Sequence, residues 1–166
     1  MATTYRPAPA VARIAAELIA EHHPDLDGIR IDYVFRDPAA KSKGAPVWGS
    51  ARKVSGLTAY LASNPQERPA DTGDTEDFFV IEIAERTWAI ISEAQKRGLV
   101  DHELSHCRVT WNDDGDMALS IAPHDLEEFT AVVTRHGLWT PNVADVATAL
   151  VDAAGYSIPD ELLKDA

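Results

Sequence analysis

Apolar positions recur at helical spacing through Val11, Ile14, Ala15, Leu18 and Ile19, and Pro24 follows soon after, so a first helix is predicted there. At Ile29 the period drops to two. Ile29, Ile31, Tyr33 and Phe35 alternate with Arg30, Asp32, Val34 and Arg36, the pattern of a half-buried strand ending at Asp37-Pro38. Val47 to Val54 reads as a second strand, entered from a loop containing Lys43-Gly44-Ala45-Pro46. Leu57 to Ala62 fits either a short helix or an extended continuation. Residues 63–77 have no periodicity and are rich in Pro, Asp and Thr, which predicts an exposed loop. Phe78 to Ile83 is a short apolar run of strand type.

The second half changes character. Glu85 to Ile91 reads as one helix, and Ser92-Glu93-Ala94-Gln95 has the capping-box order that opens another, running to about Cys107. Arg108–Trp111 and Met117–Ala122 flank Asn112-Asp113-Asp114-Gly115-Asp116, the signature of a hairpin. Phe129, Val132, Val133 and His136 give a helix over Asp125–His136 with Gly137 as its left-handed stop. Val143, Val146, Ala147 and Leu150 share one face of a last helix over Val143–Ala154. Helices and strands in this mixed order predict an α+β fold: a short sheet, a central helix and C-terminal helices.

With 166 residues the chain fits one domain, taken as 10–166, preceded by a flexible tail at 1–9 that carries two prolines and no apolar period. Cys107 is the single cysteine and has no internal partner for a disulfide, and no basic-plus-apolar leader stands at the N-terminus. A cytoplasmic protein is expected. No stretch approaches the roughly 18 consecutive apolar residues of a membrane span, so a soluble, non-membrane protein is expected as well. A net charge of −12 disfavours nucleic acid as a partner, since such binders gather cations to displace phosphate counterions. Lys41, Lys43, Arg52 and Lys53 form a small basic cluster, better explained as a solvated edge strand than as a phosphate site.

One segment carries chemistry. In His102-Glu103-Leu104-Ser105-His106 the two histidines stand four apart on a predicted helix, so both rings project from one side and can offer nitrogens to one ion. Glu103 lies about a quarter-turn round, placed to reach a water on that ion as general base without being a ligand. Val100, Leu104 and Cys107 fall on the other face, which anchors the helix in the core. The pattern fits catalytic zinc, which takes three protein ligands and one water. The third ligand is expected after His106, where Pro123-His124-Asp125-Leu126-Glu127-Glu128-Phe129 supplies His124, Glu127 and Glu128. Asp125 and Glu128 have capping-box spacing, which would account for Glu128 structurally and leaves His124 the first candidate, with Glu127 or Glu128 as alternatives.

The segments Asp101–Cys107, Pro123–Phe129 and Arg135-His136-Gly137 together resemble the putative phage metallopeptidase family. The likeness extends from Ile29 through Val47-Trp48-Gly49 and Phe78-Phe79-Val80-Ile81 to Trp139. More distantly the chain is similar to SprT-like and WLM-type minimal metalloproteases, in which a Pro-His-Asp-x-x-Phe-type or Gly-His-type segment gives the third ligand. Here the aromatic residue after His124 comes one position later than in the WLM-type pattern, which keeps Glu127 and Glu128 open as ligands. The resemblance implies a minimal zincin-like fold and peptide-bond hydrolysis by metal-activated water.

The expected protein is therefore a zinc metallopeptidase with protein or peptide substrates, Zn2+ held by His102, His106 and His124, and Glu103 as general base. A strand edge at Val47–Val54 or Phe78–Ile83 is expected to align an extended peptide. Two other readings stand beside it: a non-catalytic zinc-containing protein-binding module of phage or prophage origin, and a hydrolase of some other carbonyl compound. Among neighbouring residues, Cys107 is expected to be a buried small side chain. Asp101 and Asp125 suit either a hydrogen bond to a ligand histidine or a solvated cap. His22, His23 and His136 are accounted for by helix C-termini.

Overall fold

The computed structural model describes residues 2–63, 76–127, 130–138 and 140–155. The chain divides into two compact units, Met1–Ala122 and Pro123–Ala166, a finer division than the one domain expected from length.

In the first unit the apolar run Phe78–Ala84 (β6) is the centre of a four-stranded sheet. Its neighbours are β2 (Ile31–Asp37), which runs parallel to it, and β5 (Gly49–Val54), which runs antiparallel. Phe79, Ile81 and Ile83 point to the helix-covered face and are fully buried, which is why this strand reads as a nearly continuous apolar run. On the opposite face Glu82 is buried too, and it survives there because Arg36 of β2 (3.2 Å) and Arg52 of β5 (2.9 Å) pair with it from both sides.

The outer strand beside β2 is β1 (Thr4–Pro7), antiparallel in the register Thr4↔Asp37 to Pro7↔Val34. The flexible tail expected at 1–9 is thus corrected. All four residues of β1 are exposed, so its place is fixed by backbone pairing with a distant strand and by Arg6–Glu85, neither of which leaves an apolar pattern. The chain enters the first helix, α1 (Pro9–His22), with proline at its start, and α1 buries Val11, Ala15 and Leu18 against the sheet. Lys41–Ser42 (β3) and Ala45–Pro46 (β4) form a minimal hairpin turned by Lys43 and Gly44, both left-handed.

Leu57–Ala62, left open between two states, is helical, within α2 (Gly56–Ala62). The helix expected over Glu85–Ile91 is shorter, α3 (Glu85–Trp88). Residues 64–75 of the expected exposed loop, together with Trp139, lie outside the described residues. The next helix is α4 (Glu93–His106), which buries Val100 and Leu104 in the same core as α1. Arg97 ties the two helices together through Glu17 and Glu21. β7 (Cys107–Trp111) and β8 (Met117–Ile121) complete this unit as the expected hairpin.

The second unit holds α5 (Thr130–His136) and α6 (Pro141–Ala154), each stopped by a left-handed glycine, Gly137 and Gly155. The helix expected from Asp125 is corrected at its start, because residues 125–127 are not helical. With helices and small mixed sheets, the fold is α+β. Among the described residues, no helix is long and apolar enough to cross a membrane.

Candidate metal centre

The helix that carries the motif is secured at its start by side chains. The backbone N–H of Gln95 donates to Ser92 Oγ (3.2 Å), and the Ser92 N–H donates to Gln95 Oε1 (3.0 Å), which satisfies two of the donors that a helix N-terminus leaves unpaired. Its other end passes directly into β7 at Cys107, so His106 occupies the last turn. The turn that follows is closed by Asn112, whose Oδ1 accepts from the Asp116 N–H (2.7 Å), and by left-handed Gly115. Pairing of Cys107 with Ile121 then returns the chain beside its own starting point.

That return creates a two-point clamp. The Ala122 N–H donates to the His106 carbonyl (2.8 Å), one of the carbonyls the helix end leaves without an internal partner. In the opposite direction His106 Nδ1–H donates to the Ala122 carbonyl (2.7 Å). A proton on Nδ1 puts the ring's lone pair on Nε2, the tautomer that accepts a metal ion. The His102 ring stands 5.0 Å from that of His106, centroid to centroid, with the planes 87° apart.

Glu103, next to His102 in the chain, is buried, only 3% exposed. Burial pushes its carboxyl up to about 7, against the opposing pull of His106 and of a hydrogen bond from the Ala51 backbone N–H. Both features of β5 that receive it are backbone: Ala51 donates, and Gly49 leaves open the space in which the carboxylate lies. Cys107 is buried as well, and its Sγ–H donates to the Glu103 carbonyl (3.6 Å). Burial first, then the charges of Glu103 and Asp25, push its thiol up to about 12, which disfavours the thiolate that a ligand or nucleophile would need.

The carboxylate at Asp101 serves a different partner from the motif histidine suggested by sequence. It accepts from His23 Nε2–H (2.7 Å), linking the end of α1 to α4, and the partner of His106 Nδ1–H is the Ala122 carbonyl, a role that was one of the two readings of Asp101 and Asp125 beside a solvated cap. The role of His23 was missed because its helix-end position was already a sufficient explanation. Asp125 is exposed, and its carbonyl accepts from Asn142 Nδ2 (3.0 Å).

Of the third-ligand candidates, His124 and Glu127 are both exposed residues of the second unit, and Glu128 lies outside the described residues. His102, His106 and His124 each offer one ring nitrogen of the kind that could serve a metal ion. The set suits such an ion chemically: neutral imidazoles ligate most transition metals, and the tautomer of His106 is already the ligating one.

Comparison with known proteins gives one family. The model of the family described as Putative phage metallopeptidase matches residues 3–154. No curated protein and no solved structure matches the chain.

Proposed function

The chain belongs to the putative phage metallopeptidase family, and from that premise we propose that it is a zinc-dependent peptidase with its centre on α4. The observation that carries this reading is a buried Glu103 carboxylate on the helix that presents two imidazoles four residues apart, one of them fixed in the ligating tautomer. His102 and His106 would hold the metal. His124 is proposed as the third ligand, since it follows by only two residues the Ala122 clamp on His106, a reach of about 7 Å for extended chain. Glu127 and Glu128 are the alternatives in the same segment. Zinc is the metal proposed, because it accepts three protein ligands and keeps a position open for water or substrate.

Bound there, the ion would supply Lewis acidity, polarising a scissile carbonyl and acidifying water. The remaining chemistry belongs to the chain. Glu103, kept out of bulk water, takes a proton from the attacking water and delivers it to the leaving amine. Ala51 N–H orients the carboxylate for both transfers. In the sheet order β1-β2-β6-β5, β6 is internal and is withdrawn as a peptide-aligning edge, whereas β5 is outermost. An extended peptide pairing along β5 would lie on the strand that contacts Glu103.

The test is hydrolysis of a mixture of unstructured peptides by zinc-loaded protein, read by mass spectrometry. Cleavage is expected for the native chain and abolished by a chelator and by Glu103→Gln. Cleavage that persists in Glu103→Gln would overturn the assignment of the base. A zinc-loaded native chain that cuts nothing would favour the non-catalytic binding module.

A further inference from the structure

Gly49, the first residue of β5, is not among the glycines with positive φ, so backbone conformation does not demand glycine there. Space does. A Cβ at Gly49 would meet Glu103 and nothing nearer: Oε1 closest, then Cδ at 2.9 Å and Cγ at 3.0 Å. Contacts this short do not occur between real side chains, and Glu103, buried and held by the Ala51 N–H, lacks the freedom of a surface side chain to swing away. Gly49 and Ala51 stand two apart on the strand, so their backbone N–H groups point to the same edge of the sheet. One supplies a gap and the other a donor.

We propose that Gly49 is the positioning residue for Glu103: the missing side chain on the edge strand fixes where the carboxylate of the base lies. The inference rests on the reading of Glu103 as general base, and it adds a residue outside the histidine motif on which the reaction depends. Gly49 acts through Glu103.

The sign of a stability change makes this testable without any substrate. At a site with ordinary backbone geometry and room for a methyl group, glycine to alanine stabilises a protein by restricting its unfolded chain. Melting temperatures of the native chain, Gly49→Ala, Glu103→Ala and the double variant separate the two cases. The expected result is a fall of several degrees for Gly49→Ala in the native background, and no fall or a small rise when it is added to Glu103→Ala, which removes Cγ and the carboxyl group together. An equal fall in both backgrounds, or no fall in the native one, would overturn the proposal.

A second readout separates positioning from packing. With a cleavable peptide, Gly49→Ala is expected to lower kcat at least tenfold with KM and zinc content kept. Glu103→Asp, whose shorter side chain draws back from the added methyl group, is expected to lose little further rate when Gly49→Ala is added. A full additional tenfold loss in the Glu103→Asp background would count against it. Absence of any cleavage by the native chain would defeat the peptidase reading, while the melting cycle would still decide the relation between Gly49 and Glu103.

Discussion

His106 and Ala122 hold each other by two hydrogen bonds, ring Nδ1–H to carbonyl at 2.7 Å and backbone N–H to carbonyl at 2.8 Å. One links the side chain and the other ends the helix, so the ring cannot turn without disturbing the return of the hairpin. The consequence is a fixed tautomer. Nitrogen-15 spectra of the metal-free protein are expected to show His106 protonated on Nδ1 when neutral; an Nε2-protonated ring would contradict the clamp and with it the donor assignment.

The helix that presents the motif depends on Ser92. Replacing it with alanine removes an acceptor from the capping box and is expected to cost about 1 kcal/mol of stability in urea denaturation. Metal content should not change, because the histidines lie in the last turns, far from the cap. A loss of metal in Ser92→Ala would mean that the two ends of α4 are coupled more tightly than this geometry provides.

Glu82 gives a contrast between buried and exposed halves of one ion network. Its side chain is 10% exposed, as against 21% for Arg36 and 56% for Arg52, and Arg36 Nε is buried without a hydrogen-bond partner. Glu82→Ala strands Arg36 and is expected to cost about 3 kcal/mol, whereas Arg52→Ala should cost less than about 1 kcal/mol. Equal losses in chemical denaturation would contradict this account of why a carboxylate is tolerated inside the sheet.

Tyr33 sets an alkaline limit. Burial, and secondarily the neighbouring Cys107, raise its phenol from 10.0 to about 12. The folded state therefore holds this proton more tightly than the unfolded chain. Its contribution to stability is complete below pH 10 and is lost as pH rises towards 12. Tyr33→Phe should flatten the decline of stability over that window, measured by urea denaturation at about pH 9 and about pH 11.5, either side of the ordinary phenol value. An unchanged slope would remove Tyr33 as its cause.

What the sequence disclosed follows from where each signal resides. α1 and α4 were legible because their buried residues repeat at helical spacing and Ser92 and Gln95 mark the entry of α4. The β7–β8 hairpin was legible from Asn112 to Asp116. β1 was not, since its four exposed residues are held by a strand distant in the chain. The parallel pairing of β2 with β6 and the outer position of β5 are likewise long-range facts, so two strands were equal candidates for a peptide edge when only β5 qualifies. In the candidate site, His102, Glu103 and His106 declare themselves by spacing. Ala51 and Ala122 contribute backbone atoms, which no residue type encodes, and the space at Gly49 gains meaning only once the fold brings Glu103 beside it.

The central claim is that α4 carries a metal centre, and elemental analysis of untagged protein tests it most directly. One zinc per chain is expected in the native protein and in Glu103→Gln, with large loss in His102→Ala and His106→Ala and weakened retention in His124→Ala. A native chain that holds no metal even after zinc is supplied, or one whose zinc is indifferent to His102 and His106, would contradict the account.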